Sequence, residues 1–183
     1  MTKQLKIGLG ALCLLIVLLI LSNFKQRKNI SSYENIFNHD VSHVSKIIIQ
    51  SGDEAIELAK LDTTWKISGN DTLIVKDRSI SNFIDEVLTV KRGTIVTKNP
   101  EKYFKFSISD SLGTHVALIN QSDKTIGFFI YGKSKTDYGR GYIRTKDDYN
   151  VYITDKNISY MLSTSPTYWG EVPSQDIPIA PSP

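Results

Sequence analysis

The segment Gly127-Phe128-Phe129-Ile130-Tyr131-Gly132-Lys133-Ser134 matches the pattern G-x-x-x-x-G-K-[ST] letter for letter. In a phosphate-binding loop, that pattern supplies backbone N–H groups around a nucleotide's phosphates, a lysine for their charge and a hydroxyl for a metal. The chemistry needs a strand, then a flexible loop, then a helix that starts at the lysine. Here the four intervening residues are Phe-Phe-Ile-Tyr, which are strand formers. Downstream, Asp137, Gly139 and Gly141 lead into Tyr142–Arg144, which reads as a turn and then a strand. Gly132-Lys133 is therefore expected to end a strand, and no nucleotide is expected as a partner.

Other reactive patterns are sparse. His39, Asp40 and His43 form an H-D-x-x-H grouping in which His39 and His43 would share a face if helical, but a metal site also needs a third ligand and a rigid scaffold. They fall at the edge of a polar segment, so no metal and no cofactor is expected. The acid pairs Asp53/Glu54 and Asp147/Asp148 read as turns, and Asp85/Glu86 as a helix's polar side. No G-x-S-x-G nucleophile motif is present, and no coherent catalytic set emerges. The stretch Lys133–Arg144 interleaves Tyr138, Arg140, Tyr142 and Arg144 with glycine. Tyrosine and arginine are the side chains most used to anchor protein contacts, so these four are the candidate partner-binding loop. The bland alternative is a hairpin whose tyrosines lie against the sheet.

The elements that must carry these residues follow from charge and periodicity. The net charge of +3 divides unevenly: residues 1–30 hold Lys3, Lys6, Lys25, Arg27 and Lys28 with no acid, leaving 17 cations against 19 acids beyond them, a balance of −2. The body thus lacks the basic excess of a nucleic-acid-binding domain. Residues 7–24 are almost wholly apolar. At 1.5 Å per residue they would span about 27 Å, near the hydrocarbon thickness of a bilayer. The run ends without the small-residue exit of a cleaved signal peptide, and Cys13 lies inside it behind Leu12, unlike a lipoprotein cysteine. The expectation is an uncleaved membrane anchor over 1–24, a linker over 25–42, a folded domain over 43–170 and a Pro-rich extended tail over 171–183. With long domains exported largely regardless of flanking charge, the C-terminal domain is placed outside the cytoplasm.

Within 43–170, alternation predicts strands at Val44–Gln50, Ala55–Leu61 and Trp65–Ile67, then at Thr114–Ile119, Thr125–Tyr131, Tyr142–Arg144 and Val151–Ile153. Ile80, Phe83, Ile84, Val87 and Leu88 fall at i, i+3, i+4, i+7 and i+8, one apolar helical stripe, with Asp77 or Ser79 as N-cap. Shorter helical turns are expected at Pro100–Phe104 and Ile158–Leu162. The fold class is α+β: an N-terminal transmembrane helix, then an antiparallel sheet with one main amphipathic helix packed on it.

The order of these signals resembles a bacterial family called domain of unknown function 4340. The residues that carry the likeness are the early Ile-rich strand, Trp65-Lys-Ile67, the Ile80–Leu88 helix and Thr94-Ile-Val96 before Asn99-Pro100-Glu101. Ile130-Tyr-Gly132-Lys133, Tyr142-Ile-Arg144 and Val151-Tyr152 complete it. Phe106-Ser107 departs from it, standing where the family often has Gly-Leu. The resemblance implies a membrane-anchored protein, often encoded beside components of a gliding-motility-type ABC transporter, and it implies no catalytic residue. The functional expectation is a non-enzymatic extracytoplasmic binding module with a protein partner in the cell envelope, an accessory of an envelope or transporter complex. The alternative is an enzyme or ligand-binding domain acting on an envelope polymer.

Overall fold

A computed structural model describes residues 33–37, 43–146 and 148–173. The apolar run 7–24, His39, Asp40, Asp147 and most of the Pro-rich segment lie outside the described residues. Among the described residues, no helix is long and apolar enough to cross a membrane.

The described residues form eleven strands: β1 (Glu34–Asn35), β2 (Val44–Ser51), β3 (Glu54–Leu61), β4 (Thr64–Ile67), β5 (Ile74–Val75), β6 (Lys91–Thr97), β7 (Thr114–Asn120), β8 (Thr125–Lys133), β9 (Gly141–Thr145), β10 (Val151–Thr154) and β11 (Gly170–Glu171). Nine of them make one antiparallel sheet in the order β1-β6-β10-β9-β8-β7-β2-β3-β4, and β11 pairs with β5. The two predicted strand groups therefore join side by side, β2 against β7. The sheet also begins earlier than expected, because β1 lies within the segment read as a linker and pairs with Lys91 and Arg92.

Period-two alternation sets the main core. Ile47 lies opposite Leu58 on one side and Leu118 on the other; Ile49 lies opposite Ile56 and Val116. All six side chains are buried on one face. The helical stripe covers that face. α1 (Asp77–Asn82) runs straight into a π-helical turn, Phe83–Val87, and buries Ile80, Phe83 and Val87, with Leu88 just beyond. This segment carries the chain from the β4 side of the sheet to β6 near the opposite edge. Trp169 locks it in place. It ends the short α2 (Pro166–Trp169), is fully buried, and meets Phe83 edge-on at 5.9 Å.

The helix start differs from the expectation. Lys76 is the N-cap, and neither Asp77 nor Ser79 caps with its side chain. The reason is tertiary. The Lys76 N–H donates to the Trp169 carbonyl at 2.8 Å, and the Ser79 hydroxyl donates to the Tyr168 carbonyl at 3.1 Å. Contact with the returning chain fixes the entry, so a local cap is not needed.

The other face is covered only in part. A 3₁₀ helix, Pro100–Phe106, starts where expected, with the Asn99 side chain accepting from the Glu101 N–H at 3.0 Å. It lays Tyr103 over Ile130 and Val151, and sets Phe106 edge-on to Tyr142 at 4.9 Å. The chain then leaves through Ser107 in a left-handed conformation, φ 52°. This covering element sits so close to β8 that a Cβ at Gly132 would collide with the Phe106 carbonyl oxygen and lie 2.6 Å from that of Ser107. Gly127–Lys133 of the phosphate-loop pattern is thus continuous strand, with β7 and β9 antiparallel on its two sides. Its second glycine serves backbone packing.

That reading separates the two glycines of the motif. Gly132→Ala should destabilise the domain by about 3 kcal/mol, because only backbone can give way. A Cβ at Gly127 meets the flexible Leu118 Cδ1 at 3.0 Å. Gly127→Ala should therefore cost about 1 kcal/mol or less. Urea unfolding of the two variants measures the difference.

Candidate functional site

The candidate residues stand on β9 and the loop before it, and the structure divides them into two pairs. Tyr142 and Arg144 alternate onto the face covered by the 3₁₀ helix. Tyr142 packs against Phe106. The Arg144 guanidinium lies 4.9 Å from the centre of the Tyr103 ring, and its Nη2 donates to Asp110 at 2.9 Å. Its side chain is only 14% exposed, and its buried Nε has no partner. Both residues clamp the sheet to the segment that covers it.

Tyr138 and Arg140 face outward. Tyr138 is 77% exposed, the most exposed of the large apolar side chains described. Its loop is nevertheless ordered by hydrogen bonds. The Ser134 Oγ accepts from the Asp137 N–H at 3.0 Å and from the Thr136 N–H at 3.4 Å. Asp137 accepts from the Gly139 N–H at 3.0 Å and pairs with Arg140 at 3.7 Å. The Asn157 amide, from beyond β10, donates to the Tyr138 carbonyl at 2.8 Å.

Asn157 is in turn held by the core. Its Oδ1 accepts from the Tyr131 hydroxyl at 3.0 Å and from the Ser159 N–H at 2.9 Å. The same hydroxyl accepts from the Ile158 N–H at 3.1 Å. Burial pushes the Tyr131 phenol above its ordinary value, and the bonds from Ile158 and Thr154 offset this only in part. Gly141 makes room for that hydroxyl, since a Cβ there would overlap it, and its N–H donates to Thr154 Oγ1 at 2.8 Å. So a buried phenol fixes Asn157, and Asn157 fixes the exposed loop. Nothing in the residue type of Asn157 advertises this role, because it depends on a contact between β8 and the chain after β10.

Two concavities flank these elements. One, of about 410 Å³, is lined by Ser107, Lys133, Ser134, Lys135 and Tyr138. The other, of about 470 Å³, lies on the β1 side among Asn35, Phe37, Arg92, Thr125, Thr145 and Lys146. In the second, Arg92 is already engaged. It pairs with Glu34 at 3.2 Å and Asp148 at 3.9 Å, and stacks 4.9 Å from the Tyr152 ring centre. Burial acts to raise the Asp148 carboxyl. The Tyr152 hydroxyl at 2.6 Å, the Asn150 N–H at 2.9 Å and Arg92 outweigh it and hold the carboxyl below the usual range. Burial and Asp148 raise the Tyr152 phenol correspondingly. His115, on β7, is turned to the Asp110 carbonyl at 2.9 Å, and His43 is exposed. Among the described residues, no group of three His, Cys, Asp or Glu is placed to hold a metal.

The family model described as "Domain of unknown function (DUF4340)" matches residues 65–171. The chain belongs to that family. The match runs from β4 to β11, so it covers the crossover helix, the 3₁₀ cover and the Tyr138 loop. No curated protein and no solved structure matches the chain.

Two outcomes test this geometry. Asn157→Ala should speed amide exchange of residues 136–140 about tenfold or more, with a global loss of about 1–3 kcal/mol from unpaired Tyr131 and Ser159 groups. Exchange mass spectrometry reads the first and denaturation the second. For Asp148, the folded pKa is the depressed one. Its contribution is therefore present above the ordinary carboxylate range and lost as pH falls through the folded value. Asp148→Asn should be less stable than wild type near neutral pH, and the gap should close in acid; a gap that persists there would contradict the assignment.

Proposed function

We propose that this member of the domain of unknown function 4340 family is a non-enzymatic binding module. In this reading it is held at a membrane by residues 7–24, with its sheet domain outside the cytoplasm, and docks a protein partner of the cell envelope through the 134–140 loop. The observation that carries the reading is the combination at Tyr138 of high exposure and a backbone tied down from the core. An exposed aromatic on a mobile loop must be immobilised when it binds, which costs affinity; here much of that ordering is already present in the free protein. Tyr138 and Arg140 are residue types that recur as interface anchors.

The anchor follows from eighteen nearly continuous apolar residues, a length that suits a bilayer. It would hold the domain close to other envelope proteins and raise its effective concentration there. An enzyme acting on an envelope polymer would place reacting groups in the β1-side cavity. There Arg92 is taken up by Glu34, Asp148 and Tyr152.

Replacing Tyr138 with a photocrosslinking residue in the full chain, in intact cells, tests the proposal. Discrete heavier adducts are expected, with far fewer from a crosslinker at the exposed Leu61, at the end of β3. Recovery of monomer alone from Tyr138 would overturn it.

A further inference from the structure

We infer that the pocket formed by Ser107, Lys133, Ser134, Lys135 and Tyr138 receives a carboxylate from an acidic segment of the docking partner, an inference that rests on the 134–140 loop being the docking surface. Three observations point there. The pocket is an open recess of about 410 Å³, lined by two lysines and no acid. Among the described residues, neither Lys133 nor Lys135 takes part in an ion pair; the loop's own acid, Asp137, is turned to Arg140 and the Gly139 N–H.

The third observation is Ser134. It is only 3% exposed, and its Oγ accepts two backbone N–H bonds while donating to no acceptor among the described residues. A buried hydroxyl in the wall of a pocket with two lysines has a proton free for an acceptor, and a carboxylate oxygen supplies one together with the negative charge. Tyr138, at the pocket wall, would cover the aliphatic part of the same segment.

The ligand is better read as a peptide than as an anionic membrane surface. A membrane attracts a broad basic face, whereas residues 31–183 carry a balance of −2. Lys133 and Lys135 stand together at one concave site with no acid in its lining, which selects a complementary acidic group at contact.

The test uses the full chain in zwitterionic detergent, with a labelled oligo-glutamate peptide as probe and oligo-glutamine as control. Oligo-glutamate should bind with an affinity that falls as salt rises, and oligo-glutamine should not bind. The exposed double substitution Lys133→Gln/Lys135→Gln should weaken binding about tenfold with unchanged thermal unfolding. No oligo-glutamate binding, or binding indifferent to the double substitution, would overturn the inference. So would lysine-dependent sedimentation with phosphatidylglycerol vesicles but no peptide binding, which would identify a lipid-headgroup surface. The docking reading fails separately. If the double variant keeps its full yield of Tyr138 crosslinks in cells, docking stands and the carboxylate pocket does not; if the crosslinks fall with it, both are supported.

Discussion

The close approach of the Phe106 and Ser107 carbonyls to Gly132 is the contact on which the second half of the molecule depends. A nine-stranded sheet has two faces to manage, and the helical segment Asp77–Val87 covers one of them. The other is shielded by seven residues of 3₁₀ helix, which can bury Ile130 and Val151 only by lying almost on the backbone of β8. Any side chain at position 132 would lift that cover. Lifting it would expose Tyr103, separate Arg144 from its stacking partner, and remove Ser107 from the wall of the pocket beside Lys133. One missing Cβ thus links core packing on the second face to the shape of the surface site.

A second constraint acts from the opposite face of the same strand. Tyr131 neighbours Gly132 and points the other way, into the main core, where its hydroxyl must find partners because burial penalises an unpaired polar group. It finds them in Asn157 and the Ile158 N–H, and Gly141 leaves room for it. Two adjacent residues of β8 therefore brace the loop that follows. Gly132 admits the cover on one side, and Tyr131 secures Asn157 and so the Tyr138 carbonyl on the other. The loop stands out from the sheet but inherits its rigidity.

Much of this fold is legible in the sequence because burial on one face imposes a period that residue types record. The Ile47/Ile49 and Val116/Leu118 alternations and the Ile80–Leu88 stripe needed nothing else. What stayed hidden has identifiable causes. β6 combines Lys91, Arg92 and Gly93 with a mixed burial pattern, so it offers no clean alternation. β1, β5 and β11 are two residues each, too short for any period, and exist through pairing with distant strands. The helix start is set by Trp169 and Tyr168, which no local cap rule contains. The candidate loop was visible as a composition, Tyr and Arg among glycines. Its division into an outward pair and an inward pair follows from where β9 begins, at Gly141, which leaves Tyr138 and Arg140 in the loop, and from the contact of Arg144 with Asp110, more than thirty residues away.

The same boundary between loop and strand decides where charge is left at the surface. Arg144 stacks on Tyr103 and spends one nitrogen on Asp110, so its charge is largely consumed by the fold. Arg140 and the two lysines sit on the loop side, where charge remains at the surface. A near-neutral body with a small cationic recess gains little from long-range attraction, which salt screens within about 8–10 Å. If the recess docks an acidic segment as proposed, discrimination would come at contact: a partner without an acid at the right place would desolvate Lys133 and Lys135 without answering their charge. In that proposal the physical cost of a mismatch, more than the strength of the matched contact, would let a small preformed site choose among partners.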